Sequence, residues 1–244
     1  MTDNLLYSRQ QELNLNIPDN VCVAGCGGIG GNAAIELAMV GVKNLYLFDP
    51  DVLEESNRAR LPFCQSSLNQ PKVEVIRDYI ACIRPDCLVV AVNTKLEGIF
   101  LEIQLGVSQW ILDCTDSPRA QFTIYKACKE KGVNYVRAGY DGEHMTVTSN
   151  ISGWVKSATA NGEEQANYTI NPSCRVTAMM PALLAVWKII HSPNQEVSCN
   201  VSDIGIEVLM RQERPTARCY QAGSDRTIND GRVTARIRTG RNAR

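Results

Sequence analysis

Gly25, Gly27, Gly28 and Gly30 fall within six residues, Gly25-Cys26-Gly27-Gly28-Ile29-Gly30. Glycines so placed let a backbone turn tightly and bring free N–H groups against a phosphate at a helix N-terminus. Asp49 follows about 20 residues on, where a carboxylate accepts hydrogen bonds from ribose hydroxyls. That chemistry serves NAD, FAD, SAM or ATP alike. Asn57, Arg58, Arg60, Lys72 and Asp116 follow in order. A dinucleotide oxidoreductase has no need of these cations and this second acid, whereas moving a nucleotidyl group does. Cations stabilise the charge that develops on departing pyrophosphate, and a carboxylate holds magnesium. Arg60 and Lys72 suit the first role and Asp116 the second. Singly, each has a plainer reading: Arg60 as a surface residue, Lys72 on a solvated helix face, Asp116 as a helix cap. Their joint order carries the argument.

Positioning these residues requires alternating strands and helices. Val21 to Ala24 is an apolar run that enters the glycine turn, and Ala33, Ala34, Leu37, Ala38 and Val40 then recur at helical spacing. Gly41 stops that helix, and Asn44 to Phe48 makes a second strand, completing a βαβ unit whose strands must be parallel. Residues 52–70 are polar with little periodicity, too long for an idle connection, and are expected to form a ligand-binding loop. Pro71 should open a helix running to about Arg84 at its favoured first position. Leu88 to Val92 and Trp110 to Asp113 read as buried strands; Thr115 to Pro118 is a capping cluster for a helix to about Lys131. Val133 to Ala138 is another strand. Beyond it, Met145 to Trp154 alternates as an antiparallel strand does. Residues 156–175 read as a crossover loop, and Val176 to Ile190 as a helix in which Pro181 marks either a kink or the first turn. Gln195 to Met210 offers one or two more strands, with a hairpin around Asp203 to Gly205. The expected fold is α/β: a doubly wound, Rossmann-like, mostly parallel sheet with antiparallel C-terminal strands.

In combination these motifs resemble the ThiF/MoeB/HesA-like adenylation domain shared with ubiquitin-activating enzymes, over roughly residues 5 to 150. Tyr7-Ser8-Arg9-Gln10 resembles the family's N-terminal arginine motif, and the glycine run matches its phosphate loop. Asp49-Pro50-Asp51 with Ser56-Asn57-Arg58-Ala59-Arg60, Gln70-Pro71-Lys72, and Asp113-Cys114-Thr115-Asp116-Ser117 match three further segments. The resemblance implies Asp49 on the ATP ribose, Asn57, Arg60 and Lys72 around the phosphates, and Asp116 organising magnesium. Arg9 would reach the terminal phosphates of a neighbouring subunit, which makes a homodimer. The implied reaction is attack on the α-phosphate by the C-terminal carboxylate of a ubiquitin-like or sulfur-carrier protein ending in Gly-Gly. Some relatives then pass the acyl group to a cysteine, and Cys174 is the one placed at the crossover loop. Arg175 and a helix N-terminus beside it would lower its pKa; the plainer reading is a cysteine packed at a loop–helix junction.

The remaining composition narrows the classes. A chain of 244 residues suits one α/β domain of residues 1–210 with an appendage, and 44% apolar with 21% charged residues is ordinary for a globular protein. No apolar run could cross a bilayer, and the start lacks a secretory pattern, so the cytoplasm is expected. The ten cysteines include no C-x-x-C pair, so zinc is not expected. Cys22, Cys87, Cys114 and Cys128 read as buried, reduced packing residues. Net charge is −1, yet residues 211–244 carry nine arginines against Glu213, Asp225 and Asp230. A flexible solvated tail is the favoured reading of that segment over docking on nucleic acid, an acidic partner or a membrane. His144 and His191 carry no catalytic assignment. Two alternatives to an adenylating enzyme stand: an NAD-dependent oxidoreductase, and a non-catalytic partner subunit that kept the fold.

Overall fold

Val21, Cys22, Val23 and Ala24 are all buried, as a strand covered on both faces must be. They belong to β1 (Asn20–Ala24), an interior strand of a seven-stranded sheet with β2 (Asn44–Phe48), β3 (Leu88–Val92), β4 (Trp110–Asp113), β5 (Asn134–Asp141), β6 (His144–Thr148) and β7 (Val197–Asn200). The computed structural model describes residues 5–141, 144–152, 173–191 and 197–200. Strand order is β3-β2-β1-β4-β5-β6-β7. The first five of these strands run parallel, while β6 is antiparallel to both β5 and β7. The mixed sheet foreseen from the alternating elements is therefore present.

Side chains alternate across each strand and so feed two cores. On one face Val21, Val23, Leu45 and Leu47 meet Leu37 of α1 (Gly28–Val40), Ile76 and Ile80 of α2 (Lys72–Ile83), and Ala185 and Ile189 of α5 (Arg175–Ile190). On the other, Cys22, Ala24 and Ile111 meet Leu101 and Leu105 of α3 (Gly98–Val107) and Ile124 and Cys128 of α4 (Pro118–Lys131). The chain leaves β1 toward β2 and β3, then returns to β4 on the other side of β1. The connections therefore diverge between β1 and β4, and their carboxyl ends leave a crevice suited to a ligand.

Local details depart from the sequence reading. The antiparallel strand read over Met145 to Trp154 ends at Thr148. Helix α3 falls in a stretch to which no element was assigned. Pro71 is the residue before α2 rather than its first helical position; its ψ of 129° is extended, and Lys72 opens the helix. Pro181 lies inside α5, which removes its reading as a first-turn residue and leaves an interior proline. Residues 52–70 do form a loop, with short 3-10 turns at Glu55–Asn57 and Gln65–Ser67. Leu53 and Leu61 anchor it by packing with Val75 of α2. The crossover loop up to residue 172, the hairpin around residues 203–205 and the basic segment 211–244 lie outside the described residues. No helix among the described residues is long and apolar enough to cross a membrane.

Candidate active site

At the carboxyl end of β1 the glycines do different work. Gly25 has φ +83°, a left-handed conformation that favours glycine. A Cβ there would lie 2.8 Å from the carbonyl oxygen of Cys114, and one on Gly30 would lie 1.8 Å from the carbonyl oxygen of Gly25. These two glycines let the turn close upon itself and against the end of β4. Gly27 is the N-cap of α1, and a Cβ on it would meet nothing within 4 Å. Its surface is open, as backbone must be where a phosphate is to approach the first N–H groups of a helix. A Cβ on Gly28 would come within 3.2 Å of Ala178 Cβ and 3.4 Å of Arg60 Cβ, so the start of α1 lies against α5 and Arg60.

Asp49 braces this turn from the end of β2. Its Oδ2 accepts a hydrogen bond from the Cys26 N–H at 2.6 Å, and Oδ1 accepts one from the Asp51 N–H at 2.8 Å. Burial pushes its carboxyl above the usual carboxylate range, opposed by the N–H groups of Asp51 and Cys26 and the charge of Lys72. Each oxygen retains a lone pair for a ribose hydroxyl. Asp51 reaches across to Lys72, Oδ2 to Nζ 2.8 Å. Lys72 is only 8% exposed, so it does not lie on a solvated helix face. Its ammonium is held inward beside the acids of β2.

The third wall is the turn after β4. Asp113 is wholly buried and accepts hydrogen bonds from Thr115 N–H at 3.0 Å, Thr115 Oγ1 at 2.7 Å and Tyr135 Oη at 2.9 Å. Burial raises its carboxyl pKa against the pull of those donors. Ser117 caps α4, its side chain accepting from the Ala120 N–H, so the capping role considered for Asp116 is taken by its neighbour. Asp116 is exposed and makes no hydrogen bond or ion pair with a described residue. Its free oxygens fit magnesium, which takes one or two carboxylates and keeps water or substrate phosphate for its other positions. Among the described residues no group of three or more His, Cys, Asp or Glu could hold a metal alone.

Arg60 links the glycine turn to Cys174. Its Nη1 donates to Tyr140 Oη at 3.1 Å and to Ser173 Oγ at 2.7 Å, and its carbonyl accepts from Asn32 Nδ2 at 2.9 Å and Arg175 Nη1 at 3.3 Å. Cys174 is the exposed N-cap of α5. The Thr177 N–H, then the Val176 N–H and the Thr177 hydroxyl, hold its thiol below the usual range. Arg175, expected to lower it as well, has its guanidinium on the Arg60 carbonyl. The cysteines read as packing residues behave in the opposite way: burial raises Cys87 to about 11 and Cys128 to about 12, and pushes Cys22 and Cys114 up as well. Asn57 uses its Oδ1 to accept from the Glu54 N–H at 3.0 Å, closing the turn that leads to Arg60. Asp51 lies within the Asp49-Pro50-Asp51 segment but has no role in the sequence reading, and nothing in the spacing of Tyr140, Ser173 or Asn32 marks them as neighbours of Arg60 or the glycine turn.

Arg9 stands apart from this cluster. Its segment docks at the far end of α1, where Tyr7 lies against Gly41 and Gln10 Nε2 donates to the Val40 carbonyl at 2.8 Å. Thirteen helical residues separate that end from the glycine turn, about 20 Å at 1.5 Å per residue. Arg9 of one chain is beyond side-chain reach of its own glycine turn.

A glycine turn at the β1–β4 divergence, an inward lysine and a carboxylate with no partner among the described residues narrow the candidates to nucleotide-binding α/β families. Comparison with family models decides among them: the ThiF family model matches residues 8–225. The chain belongs to the ThiF family. This match runs well past the stretch over which the motifs carry the resemblance. Among curated ThiF relatives, the sulfur carrier protein ThiS adenylyltransferase of Escherichia coli (strain K12) is 30% identical over 152 residues, 61% of this chain and 59% of that protein. Ubiquitin-like modifier-activating enzyme 5 of Drosophila pseudoobscura pseudoobscura is 30% identical over 160 residues, 57% of this chain and 40% of that protein. This ThiF chain thus spans about two to three fifths of the length of these relatives. A crystal structure of E. coli MccB with ATP shares the fold, with TM-score 0.62 at 19% identity over 81% of this chain and 69% of that one.

Proposed function

We propose that this chain uses ATP to adenylate the C-terminal carboxylate of a ubiquitin-like or sulfur-carrier protein ending in Gly-Gly. The observation that carries the reading is the company of the open turn at Gly27: Lys72 held inward, Arg60 packed over the start of α1, and Asp116 without a partner among the described residues. Family membership and the printed activities of the two relatives support it. An NAD-dependent oxidoreductase would leave these groups without a use. A non-catalytic partner subunit would have no reason to keep them together.

In the proposed step a carboxylate oxygen of the partner attacks the α-phosphorus. A P–O bond forms, the α–β P–O bond breaks, and pyrophosphate leaves with the electron pair. The N–H groups at the start of α1 with Arg60, Lys72 and Asn57 surround the phosphates and offset the charge growing on pyrophosphate. Asp49 takes the ribose hydroxyls. Magnesium bound at Asp116 would supply Lewis-acid charge stabilisation beside the α-phosphate. Cys174 extends the reading to a second step, in which its thiolate attacks the acyl carbonyl carbon and AMP departs, leaving a thioester. The distance between Arg9 and its own phosphate turn supports a homodimer in which each Arg9 serves the other subunit's nucleotide.

Calorimetric titration with Mg-ATP, NAD and NADH separates the readings first: ATP binding without an NAD signal is expected, and the reverse would overturn the assignment. Pyrophosphate exchange driven by a Gly-Gly carrier tests the chemistry. Asp116→Ala should keep the fold and lose exchange by several orders of magnitude. Wild-type exchange in that variant would remove Asp116 from the mechanism.

A further inference from the structure

A guanidinium presents five N–H donors in one plane. In Arg60 both hydrogens of Nη1 are engaged, one by Tyr140 Oη at 3.1 Å and one by Ser173 Oγ at 2.7 Å. Nε and Nη2 bond to no described residue, and together they form the edge that matches two phosphate oxygens. The stem of the same side chain passes the start of α1, where a Cβ on Gly28 would come within 3.5 Å of Arg60 Cδ. The unengaged edge therefore belongs to a side chain that already flanks the phosphate turn.

Its two partners come from rigid or anchored places. Tyr140 lies on β5 with its ring packed against the first core. Ser173 directly precedes Cys174, the N-cap of α5. They lie 80 and 113 residues from Arg60 in the chain, yet converge on a single nitrogen. An arginine on a free stem loses rotamer freedom when it grips a ligand, and prior restraint removes part of that cost. Grasping Nη1 from two sides fixes the plane of the fork and leaves its other edge for an anion.

We propose that Tyr140 and Ser173 are positioning residues for phosphate recognition, holding Nη1 of Arg60 so that Nε and Nη2 meet two oxygens of the nucleotide's polyphosphate. The identity of the ligand rests on the adenylation reading above; the geometry of Arg60 does not. Because Ser173 adjoins Cys174, and Arg175 donates to the Arg60 carbonyl, a phosphate on Arg60 also steadies the start of the helix that presents the thiol.

The test compares wild type, Tyr140→Phe, Ser173→Ala, Arg60→Ala and the Arg60→Ala/Tyr140→Phe pair. Mg-ATP and inorganic pyrophosphate are titrated by calorimetry, and adenosine is followed by saturation-transfer NMR. Each single loss at Tyr140 or Ser173 should weaken ATP and pyrophosphate about tenfold, the usual worth of a hydrogen bond to a charged group. Adenosine binding and the melting temperature should not change. In the Arg60→Ala background Tyr140→Phe should do nothing further, a result that a merely structural tyrosine would not give. Wild-type ATP affinity in both Tyr140→Phe and Ser173→Ala, an equal loss for adenosine, or an undiminished effect without Arg60 overturns the proposal. Should the wild type bind pyrophosphate but not ATP, the adenylation reading fails while the pyrophosphate series still decides the role of Tyr140 and Ser173. Failure to bind either sinks both.

Discussion

Replacing Gly27 with alanine adds a methyl group where no protein atom lies within 4 Å. The backbone there, φ −74° and ψ −156°, is extended and open to any L-residue. On the protein alone the change should be neutral or stabilising by about 0.4–1 kcal/mol, because alanine has less freedom to lose on folding. For a chain of this size that raises Tm by at most ~4 °C. A nucleotide meets a different surface, because the methyl stands between the first N–H groups of α1 and the phosphate they would bind. Losing one or two charge-assisted hydrogen bonds costs roughly 3 kcal/mol, about a hundredfold in Kd for ATP. Gly30→Ala reverses the pattern. Its Cβ would lie 1.8 Å from the Gly25 carbonyl oxygen, little more than half the 3.4 Å at which ordinary contact begins. The turn must open, at a cost of about 3 kcal/mol or more, and Tm should fall by roughly 6 °C or more. Scanning calorimetry and ATP titration on both variants read the two effects separately. A Gly27→Ala protein that binds ATP as the wild type does, or a Gly30→Ala protein that melts with it, refutes the division of labour within the turn.

If Arg9 serves the neighbouring subunit, Arg9→Ala and Asp116→Ala proteins should each be inactive in pyrophosphate exchange, yet regain about a quarter of wild-type activity when mixed and allowed to exchange subunits; mixtures that stay inactive speak against a shared site. Cys174 should react with iodoacetamide along a pH–rate curve whose midpoint lies below that of an ordinary thiol. Thr177→Val should move that midpoint upward but not fully, since the backbone N–H of residue 177, the largest cause, survives; an unshifted curve in the wild type would contradict the capping geometry. Burial raises the pKa of Asp113 above its unfolded value, so this group favours the native state when protonated, and stability is lost as pH rises from near 4 through the higher native value. Asp113→Asn should flatten that slope in urea melts between pH 4 and 8 and be at least as stable as wild type at neutral pH; an unchanged slope would show that Asp113 does not set it.

Local signals in the sequence sufficed where one short segment does one job. The glycine turn, the acid ending β2 and the capping cluster before α4 each lie within a few residues, and each is where its spacing places it. Helix α3 escaped for a physical reason. Ile99, Phe100, Leu101, Ile103, Leu105 and Val107 leave it apolar nearly all round, with Ile99 67% exposed and Leu101 buried, so no polar face betrays its period. Asp51 escaped because two acids end β2: sequence spacing selects Asp49 for the ribose but cannot show that Asp51 secures Lys72. Tyr140 and Ser173 are invisible to any window, since only the folded sheet brings them to Arg60. The plain reading of Lys72 as a solvated residue failed because burial depends on the loop before α2, whose Leu53 and Leu61 pack beside that helix.

The turn that would receive a phosphate is already fastened before any ligand arrives. The Asp49 carboxylate grips the Cys26 N–H, the Gly25 N–H donates to the Phe48 carbonyl at 2.8 Å, and Gly30 rests on the Gly25 carbonyl. Ordering that elsewhere accompanies ligand capture is here completed during folding. Such a cradle behaves as a mould rather than a glove: a phosphate that fits it would be met by a surface that has no rearrangement of its own left to make.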